Sequence, residues 1–240
     1  MRVACLQMDV ELCRCEDNSR RSLDMAHAAL EQGAEILVFP ELFLTGFCYR
    51  QNVQEPPPYQ SLDPFRELAK EHDCLIIGSI WSGRQNLGFC LDRESLQIRP
   101  KVHPFGQEVE HFDGGDFIAP VSTKLGMVGL EVCYDLRFPE VARSLALQGA
   151  DFLVTVAQFP AARRNHWRTL CLARAIENQM PHLACNFAEG GGSMIVDSWG
   201  DLLSEAGLGE EMIMGEIDLS LRDRIRRDMP CFMDRRPEIY

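Results

Sequence analysis

The stretch GMVGLEVCYDLRFPE, residues 126–140, is an apolar run that stops at a cysteine and leads into a helix start. The run Gly126–Val132 has the length and apolar content of a buried strand. Pro139 and Glu140 suit a first helical turn, because proline already has helical φ and its missing N–H is not needed there. Cys133 is therefore expected at a strand end, where oriented backbone N–H groups would lower the thiol pKa and favour the nucleophilic thiolate.

Two other polar residues follow apolar runs in the same way. A single buried cysteine more often only fills space in a core. Here, however, Glu41 follows the apolar run Ile36–Phe39 and Pro40, and Lys101 follows a predicted pair of short strands within Asn86–Pro100. Open α/β sheets place their ligands at the carboxyl ends of strands. A glutamate, a lysine and a cysteine at three such ends together indicate a catalytic site.

Six segments resemble, in this order along the chain, those of the nitrilase superfamily, the carbon–nitrogen hydrolases. The last is similar to the tail of the omega-amidase-like branch. They are FPELFLTGF (39–47), PKVHPFG (100–106), EVCYDLRFPE (131–140), NHWRTLCLARAIENQ (165–179), GGSMIVDSWGDLL (191–203) and DMPCFMDRRPEIY (228–240). The resemblance covers nearly the whole chain and implies an α/β fold, a four-layer αββα sandwich. Strands and helices mix throughout the sequence, which indicates a single domain over residues 1–240. Periodicity alone predicts only a mixture of strands and helices.

The resemblance also implies roles for individual residues. Glu41 would be the general base, Lys101 the lysine that stabilises the oxyanion, and Cys133 the nucleophile. The family often has a second glutamate after the lysine, and both Glu108 and Glu110 compete for that role. We prefer Glu110, because EHF followed by DGGD is the better match.

These residue types are sufficient for amide hydrolysis. The Cys133 thiolate would attack the carbonyl carbon, while Lys101 and the backbone N–H of Tyr134 face the developing oxyanion. Glu41 would carry the thiol proton to the leaving nitrogen and then activate water to hydrolyse the thioester. No cofactor is expected. No metal is expected either, because His103 and His111 lack the spacing of a zinc site.

The substrate is expected to be a small amide. The branch that this chain resembles acts on omega-amides of dicarboxylic or 2-oxo acids such as 2-oxoglutaramate, whereas related branches cleave deaminated glutathione, N-carbamoyl amino acids or nitriles. Arg163 and Arg164 follow the predicted strand Asp151–Ala157 and are candidates to bind a substrate carboxylate. Glu131 lies two residues before Cys133, on the same face if alternation holds, which leaves the polarity of the pocket open.

Composition favours a globular intracellular enzyme. The chain has 240 residues, 46% hydrophobic content and ten cysteines without a disulfide-like spacing. Reduced thiols and a cytoplasmic location are therefore expected. No signal peptide or membrane span is recognisable. The formal net charge of −12 argues against nucleic acid or an anionic membrane as a partner.

The resemblance implies a homodimer built from two helices, Pro139–Gln148 and Asn165–Gln179, with a contribution from the tail Arg235–Tyr240. Trp167, Leu170 and Ile176 form an apolar stripe on the second helix, although burial within the monomer explains that stripe equally well.

Two other functions compete with the amidase. A metal-dependent phosphoesterase would use acidic residues at strand ends, for example Glu41 and Asp135, as metal ligands. A non-catalytic scaffold would keep the fold without the chemistry. The combination of Glu41, Lys101 and Cys133 argues against both.

Hydrophobic patterning predicts alternating strands and helices. Besides the segments named above, the predicted strands are Val3–Val10, Cys74–Trp81, Pro181–Asn186, Ser193–Asp197 and Met212–Ile217, and the predicted helices are Asn18 or Ser19 to Gln32, Ser61–Glu71 and Leu219–Arg227.

Overall fold

The computed structural model describes residues 1–239 and contains two six-stranded sheets. The first has the strand order β12-β1-β2-β3-β4-β5 and consists of β1 (Arg2–Gln7), β2 (Ile36–Val38), β3 (Leu75–Ser82), β4 (Gln85–Leu91), β5 (Leu96–Pro100) and β12 (Glu211–Glu216). The second has the order β11-β10-β9-β8-β7-β6 and consists of β6 (Val121–Thr123), β7 (Gly126–Val132), β8 (Phe152–Ala157), β9 (His182–Asn186), β10 (Met194–Val196) and β11 (Leu202–Glu205).

Helices cover the outer face of each sheet. Apolar residues of α1 and α2 pack on the first sheet, and those of α4 and α5 pack on the second. The helices are α1 (Cys15–Glu31), α2 (Asp63–His72), α3 (Glu108–His111), α4 (Pro139–Leu147), α5 (Arg164–Asn178) and α6 (Leu219–Asp228). The predicted four-layer αββα sandwich is confirmed.

The inner faces of the two sheets form an apolar core between them. Ile36 and Val38 of β2 pack there with Leu130 and Val132 of β7. The central strands β1, β2, β3, β7, β8 and β9 are joined in parallel within each sheet, and such strands are buried on both faces. This explains why they read as short continuous apolar runs in the sequence.

The predicted helices and strands are present, with ends shifted by a few residues. Two elements were not predicted: β6 and the one-turn helix α3. The tail adopts a short 3₁₀ turn at Pro237–Ile239, and Tyr240, which belongs to the proposed dimer contact, lies outside the described residues.

The expectation of reduced cysteines is wrong for one pair. Cys13 and Cys48 form a disulfide across 35 residues of sequence, with their Cα atoms 5.1 Å apart. The bridge joins the segment before α1 to the loop after Glu41. The backbone N–H of Cys13 also donates to the carbonyl of Thr45 in that loop. Sequence spacing does not reveal such a pair, because two loops meet only in the folded chain.

Within residues 1–239, no helix combines the length and the apolar character needed to cross a membrane.

Candidate active site

Three strand ends carry the predicted catalytic side chains to one place. Glu41 follows β2, Lys101 follows β5 directly, and Cys133 follows β7 directly. The Nζ atom of Lys101 lies 2.7 Å from Oε1 of Glu41, and the charges of both groups act on the Cys133 thiol. The structure therefore brings together the three residues that the sequence singled out.

The second glutamate at this site is Glu108, so the preference for Glu110 is wrong. Lys101 Nζ donates to both oxygens of Glu108, at 2.9 and 2.7 Å, whereas the Glu110 side chain is exposed. Both residues lie in α3. Residues two positions apart in a helix point in nearly opposite directions, so only one of them can face the lysine.

Two residues that sequence reasoning missed hold the Glu41 carboxylate. Asn86 Nδ2 donates to Oε1 of Glu41 at 2.8 Å. The backbone N–H of Gln158 donates to Oε2 at 3.1 Å, and its side-chain amide donates to the Glu41 carbonyl at 2.8 Å. Glu41 is fully buried, and these donors together with Lys101 compensate for its loss of water.

Cys133 lies in a strained turn. Its φ is +50°, in the left-handed region that residues other than glycine rarely adopt. It begins the 3₁₀ turn Cys133–Arg137 that joins β7 to α4. The turn ends the alternation of the strand and leaves Cys133 half-buried on the wall of a cavity.

The expectation of a lowered thiol pKa is wrong for the free enzyme. Desolvation raises the pKa of Cys133 well above its ordinary value, and the negative charge of Glu41 raises it further, while Lys101 acts in the opposite direction. The resting thiol is therefore protonated, and attack requires a base to remove the proton.

The lysine and the second glutamate influence each other. Burial lowers the pKa of Lys101, but the charges of Glu41, Cys133 and Glu108 outweigh this effect and raise it overall, so the ammonium keeps its charge. Burial and the charge of Glu41 raise the pKa of Glu108 to about 7, although Lys101 opposes the shift. A second carboxylate beside Glu41 is therefore easily protonated near neutral pH.

A cavity of about 340 Å³ opens onto Cys133. Its polar lining includes Glu108, Gln158 and Arg163, and its aromatic walls are Phe47, Tyr49, Phe105, Tyr134 and Phe159. That the backbone N–H of Tyr134 faces the oxyanion stays a prediction. The ring of Tyr134 packs against that of Phe105, with centroids 4.6 Å apart.

The two candidate arginines are separated by the structure. Arg163 lines the cavity, and its guanidinium carbon lies 5.1 Å from the centre of the Phe105 ring. No acidic side chain among residues 1–239 forms an ion pair with it. Arg164 lies outside this lining, and its Nη2 donates to the carbonyl of Ala206 at 3.2 Å. The cavity therefore contains Arg163 and not Arg164.

Glu131 does not contribute to the cavity, contrary to the alternation argument. Its neighbours Leu130 and Val132 pack between the sheets, so Glu131 points to the opposite side, where Oε2 lies 3.0 Å from the hydroxyl of Thr155. Burial raises the pKa of Glu131 to about 8. Because Cys133 has left the strand for the turn, the two residues no longer share a face.

A family model described as carbon-nitrogen hydrolase matches residues 2–227. The chain belongs to the carbon–nitrogen hydrolase family. It is 30% identical to 2-oxoglutaramate amidase of Bacillus subtilis over 262 residues, which covers 99% of this chain and 98% of that protein. It is 38% identical to deaminated glutathione amidase of Mus musculus over 212 residues, which covers 80% of this chain and 64% of that protein.

Solved structures agree with the family assignment. Nit3 of Saccharomyces cerevisiae, a member of branch 10 of the nitrilase superfamily, superposes with a TM-score of 0.91 at 26% identity, covering 100% of this chain and 97% of that one. The predicted carbon–nitrogen hydrolase of the nitrilase superfamily, an amidase, is confirmed. A phosphoesterase does not account for a carbon-nitrogen hydrolase match that spans the site, and the assembled Glu41, Lys101 and Cys133 argue against a non-catalytic scaffold.

Proposed function

We propose that this carbon–nitrogen hydrolase cleaves the omega-amide of a small dicarboxylic or 2-oxo acid and releases ammonia. One observation carries the proposal. A single unpaired cation, Arg163, lies on the wall of the cavity that opens onto Cys133. An omega-amide of a diacid has one carboxylate a few bonds from its scissile carbonyl, and the fork of an arginine suits such a group.

The first half-reaction forms a thioester. Glu41 removes the proton from the Cys133 thiol, and the sulfur attacks the carbonyl carbon, so that the C=O electron pair moves onto oxygen. When the carbonyl re-forms, the C–N bond breaks, and Glu41 returns its proton to the nitrogen. Ammonia leaves, and the acyl group remains on sulfur. The raised pKa of the thiol makes this base necessary.

The second half-reaction uses the same base. Glu41 takes a proton from water, which attacks the thioester carbonyl; the C–S bond then breaks and Cys133 recovers its proton. The hydrogen bonds from Asn86 and Gln158 keep the Glu41 carboxylate in position for both steps.

Lys101 supplies the positive charge that the oxyanion needs. Its three N–H donors are divided between Glu41 and the two oxygens of Glu108. Glu108 needs only one of its two contacts to remain bound, so one donor can turn to the substrate oxygen. The backbone N–H of Tyr134 is the proposed second donor, because this residue directly follows the nucleophile and lines the cavity.

Deaminated glutathione is the second candidate substrate, and the mouse relative at 38% identity supports it. Its acyl group also carries a carboxylate, but its leaving group is a dipeptide and not ammonia. The cavity of about 340 Å³ lies near the lower limit of small-molecule sites, roughly 300–1,000 Å³. This size favours the smaller omega-amide.

A substrate panel tests the proposal. Purified enzyme is assayed for product with 2-oxoglutaramate, deaminated glutathione, an N-carbamoyl amino acid, a short nitrile and a neutral amide of similar length. The proposal expects the highest kcat/KM for 2-oxoglutaramate or another acidic omega-amide, with ammonia as the second product. A preference for the neutral amide, or for a substrate that releases a peptide, would contradict it.

We also propose that the enzyme is a homodimer that uses the outer faces of α4 and α5. Ile176 on α5 is 53% exposed and lies close to Gly200. Trp199, the chain neighbour of Gly200, is 57% exposed, and a second copy would bury both side chains. Trp167 is fully buried within the monomer, so this member of the predicted apolar stripe is not available to a second copy. Light scattering that shows only a 27.2 kDa particle would contradict the dimer.

The predicted cytoplasmic location stays a proposal. The argument from reduced thiols now uses only the eight free cysteines, because Cys13 and Cys48 form a disulfide.

A further inference from the structure

The carboxylate of Asp135 lies between the turn that carries the nucleophile and the segment that carries the lysine. Asp135 is only 2% exposed. Oδ1 accepts hydrogen bonds from the backbone N–H of His103 at 2.9 Å and contacts Nδ1 of its ring at 2.8 Å. Oδ2 accepts from the backbone N–H groups of Val102 and Val132, at 3.3 and 3.2 Å.

These four contacts join two catalytic segments that are distant in sequence. Val102 and His103 directly follow Lys101, and Val132 directly precedes Cys133. A carboxylate so deeply buried is costly unless donors surround it, and here every donor comes from a segment next to a catalytic residue. The position of Lys101 relative to Cys133 is thereby tied to a single side chain.

The neighbours of Asp135 strengthen this connection. The His103 ring stacks on Phe138, with centroids 3.7 Å apart, and Phe138 directly precedes α4. The turn between Val132 and Phe138 includes Cys133 at φ +50°. Such a conformation persists only where surrounding contacts determine it. Asp135 binds the N–H of Val132 just before Cys133, and through His103 it is connected to Phe138 at the end of the turn.

We propose that Asp135 is a positioning residue that holds the Lys101 ammonium at the carbonyl oxygen while Cys133 holds the carbonyl carbon. Asp135 does not line the cavity, so it acts through those two residues and not on the substrate. The inference rests on the roles proposed above for Lys101 and Cys133.

The variant Asp135→Asn tests this inference. Asparagine has the same shape as aspartate but carries an NH₂ donor in place of one acceptor oxygen. The N–H groups that bound that oxygen then face another donor and lose their hydrogen bonds. A misplacement of about 1 Å costs on the order of 100-fold in rate, and we expect that loss in kcat with KM for 2-oxoglutaramate changed less than about threefold. The matched control is Asp113→Asn, which loses an exposed contact to Arg84 and should keep wild-type kcat.

A double-mutant cycle separates positioning from general damage. The readout is the burst of p-nitrophenolate when p-nitrophenyl acetate acylates Cys133. This leaving group departs as an anion without a proton, so the acylation rates of weak variants remain measurable. Asp135→Asn should slow the burst about 100-fold in the wild-type background but less than about threefold in a Lys101→Met background, as expected for residues that act together. Equal losses in both backgrounds would overturn the inference.

Two further outcomes have a defined meaning. If Asp135→Asn does not fold, His103→Ala removes one contact and keeps the carboxylate; it should lower kcat about tenfold at constant KM, by the same positioning argument, and a wild-type kcat would overturn the inference. Full activity of Asp135→Asn beside an inactive Cys133→Ala overturns this inference alone. An active Cys133→Ala defeats the proposed function itself.

Discussion

The Nζ atom of Lys101 lies 2.7 Å from Oε1 of Glu41, and both side chains are almost completely buried. Removing one member of a buried ion pair leaves an uncompensated charge, at a typical cost of about 3–5 kcal/mol. Here Lys101 also neutralises Glu108. The same lysine therefore stabilises the site and, in the proposed mechanism, also stabilises the oxyanion.

Lys101→Met should abolish hydrolysis and lower the free energy of unfolding by about 3 kcal/mol, since two buried carboxylates lose their counter-ion. Urea denaturation and ammonia release measure the two effects. Lys70→Met is the matched control, because it breaks an exposed pair with Glu67 and should change stability by less than about 1 kcal/mol. Similar effects of the two substitutions would contradict the assignment of Lys101.

Glu108→Gln and Glu110→Gln form a matched pair on one helix. Glu108→Gln should lower kcat by about 10- to 1,000-fold, because Lys101 loses a charged partner that orients it. Glu110→Gln should behave as wild type, since its side chain is exposed. Steady-state kinetics on 2-oxoglutaramate distinguish the two, and a larger loss in Glu110→Gln would reverse the assignment.

Arg163→Met should raise KM for acidic amides by about 10- to 100-fold, because a charge-assisted pair contributes on the order of 1.5–3 kcal/mol. Neutral amides should be almost unaffected. Arg164→Met supplies the control, as its guanidinium contacts the Ala206 carbonyl outside the cavity lining. If Arg163→Met raised KM equally for acidic and neutral amides, Arg163 would not recognise the carboxylate.

We expect the proton on Glu131 to make the free energy of unfolding decrease as the pH rises. Thr155 Oγ1 lies 3.0 Å from Glu131 Oε2 and 2.7 Å from His182 Nε2, and His182 Nδ1 lies 3.0 Å from the carbonyl of Cys171. That nitrogen therefore carries the ring proton, the Thr155 hydroxyl donates to Nε2, and a protonated Glu131 completes the chain. Consistently, burial raises the pKa of Glu131 from 4.5 to about 8 and lowers the pKa of His182 to about 4.

The sign follows from the protons bound in each state. Between pH 4.5 and 8 the unfolded chain releases the Glu131 proton while the folded chain keeps it, so stability is lost as the pH rises. Glu131→Gln removes this dependence and retains a donor to Thr155. Its stability relative to wild type should grow by on the order of 2–4 kcal/mol from pH 5 to pH 8 in urea titrations. A constant difference would show that Glu131 is ionised in the folded protein.

Strand ends were the most predictable part of the site. Glu41, Lys101 and Cys133 each follow an apolar run, and a buried strand in a parallel sheet is recognisable from such a run. These strand ends then come together because the two sheets pack face to face in the sandwich. The four layers could be predicted only through the family resemblance.

Features built by loops and short elements escaped prediction. The single turn of α3 is too short to show a helical period, which is why Glu110 was preferred over Glu108. The alternation argument for Glu131 failed because the backbone turns at Cys133. Asn86 and Gln158 bind Glu41 from segments far away in sequence, and no local pattern marks them. The disulfide between Cys13 and Cys48 likewise depends on the packing of two loops.

Ammonia release from 2-oxoglutaramate by Cys133→Ala is the most direct test of the account. Cys231→Ala, which alters an exposed free thiol, is the matched control, and circular dichroism verifies that both variants fold. The account predicts that wild type and Cys231→Ala release ammonia at the same rate and carry a transient acyl adduct on Cys133 by mass spectrometry, while folded Cys133→Ala shows neither. Ammonia release by Cys133→Ala at a rate comparable to wild type would contradict it.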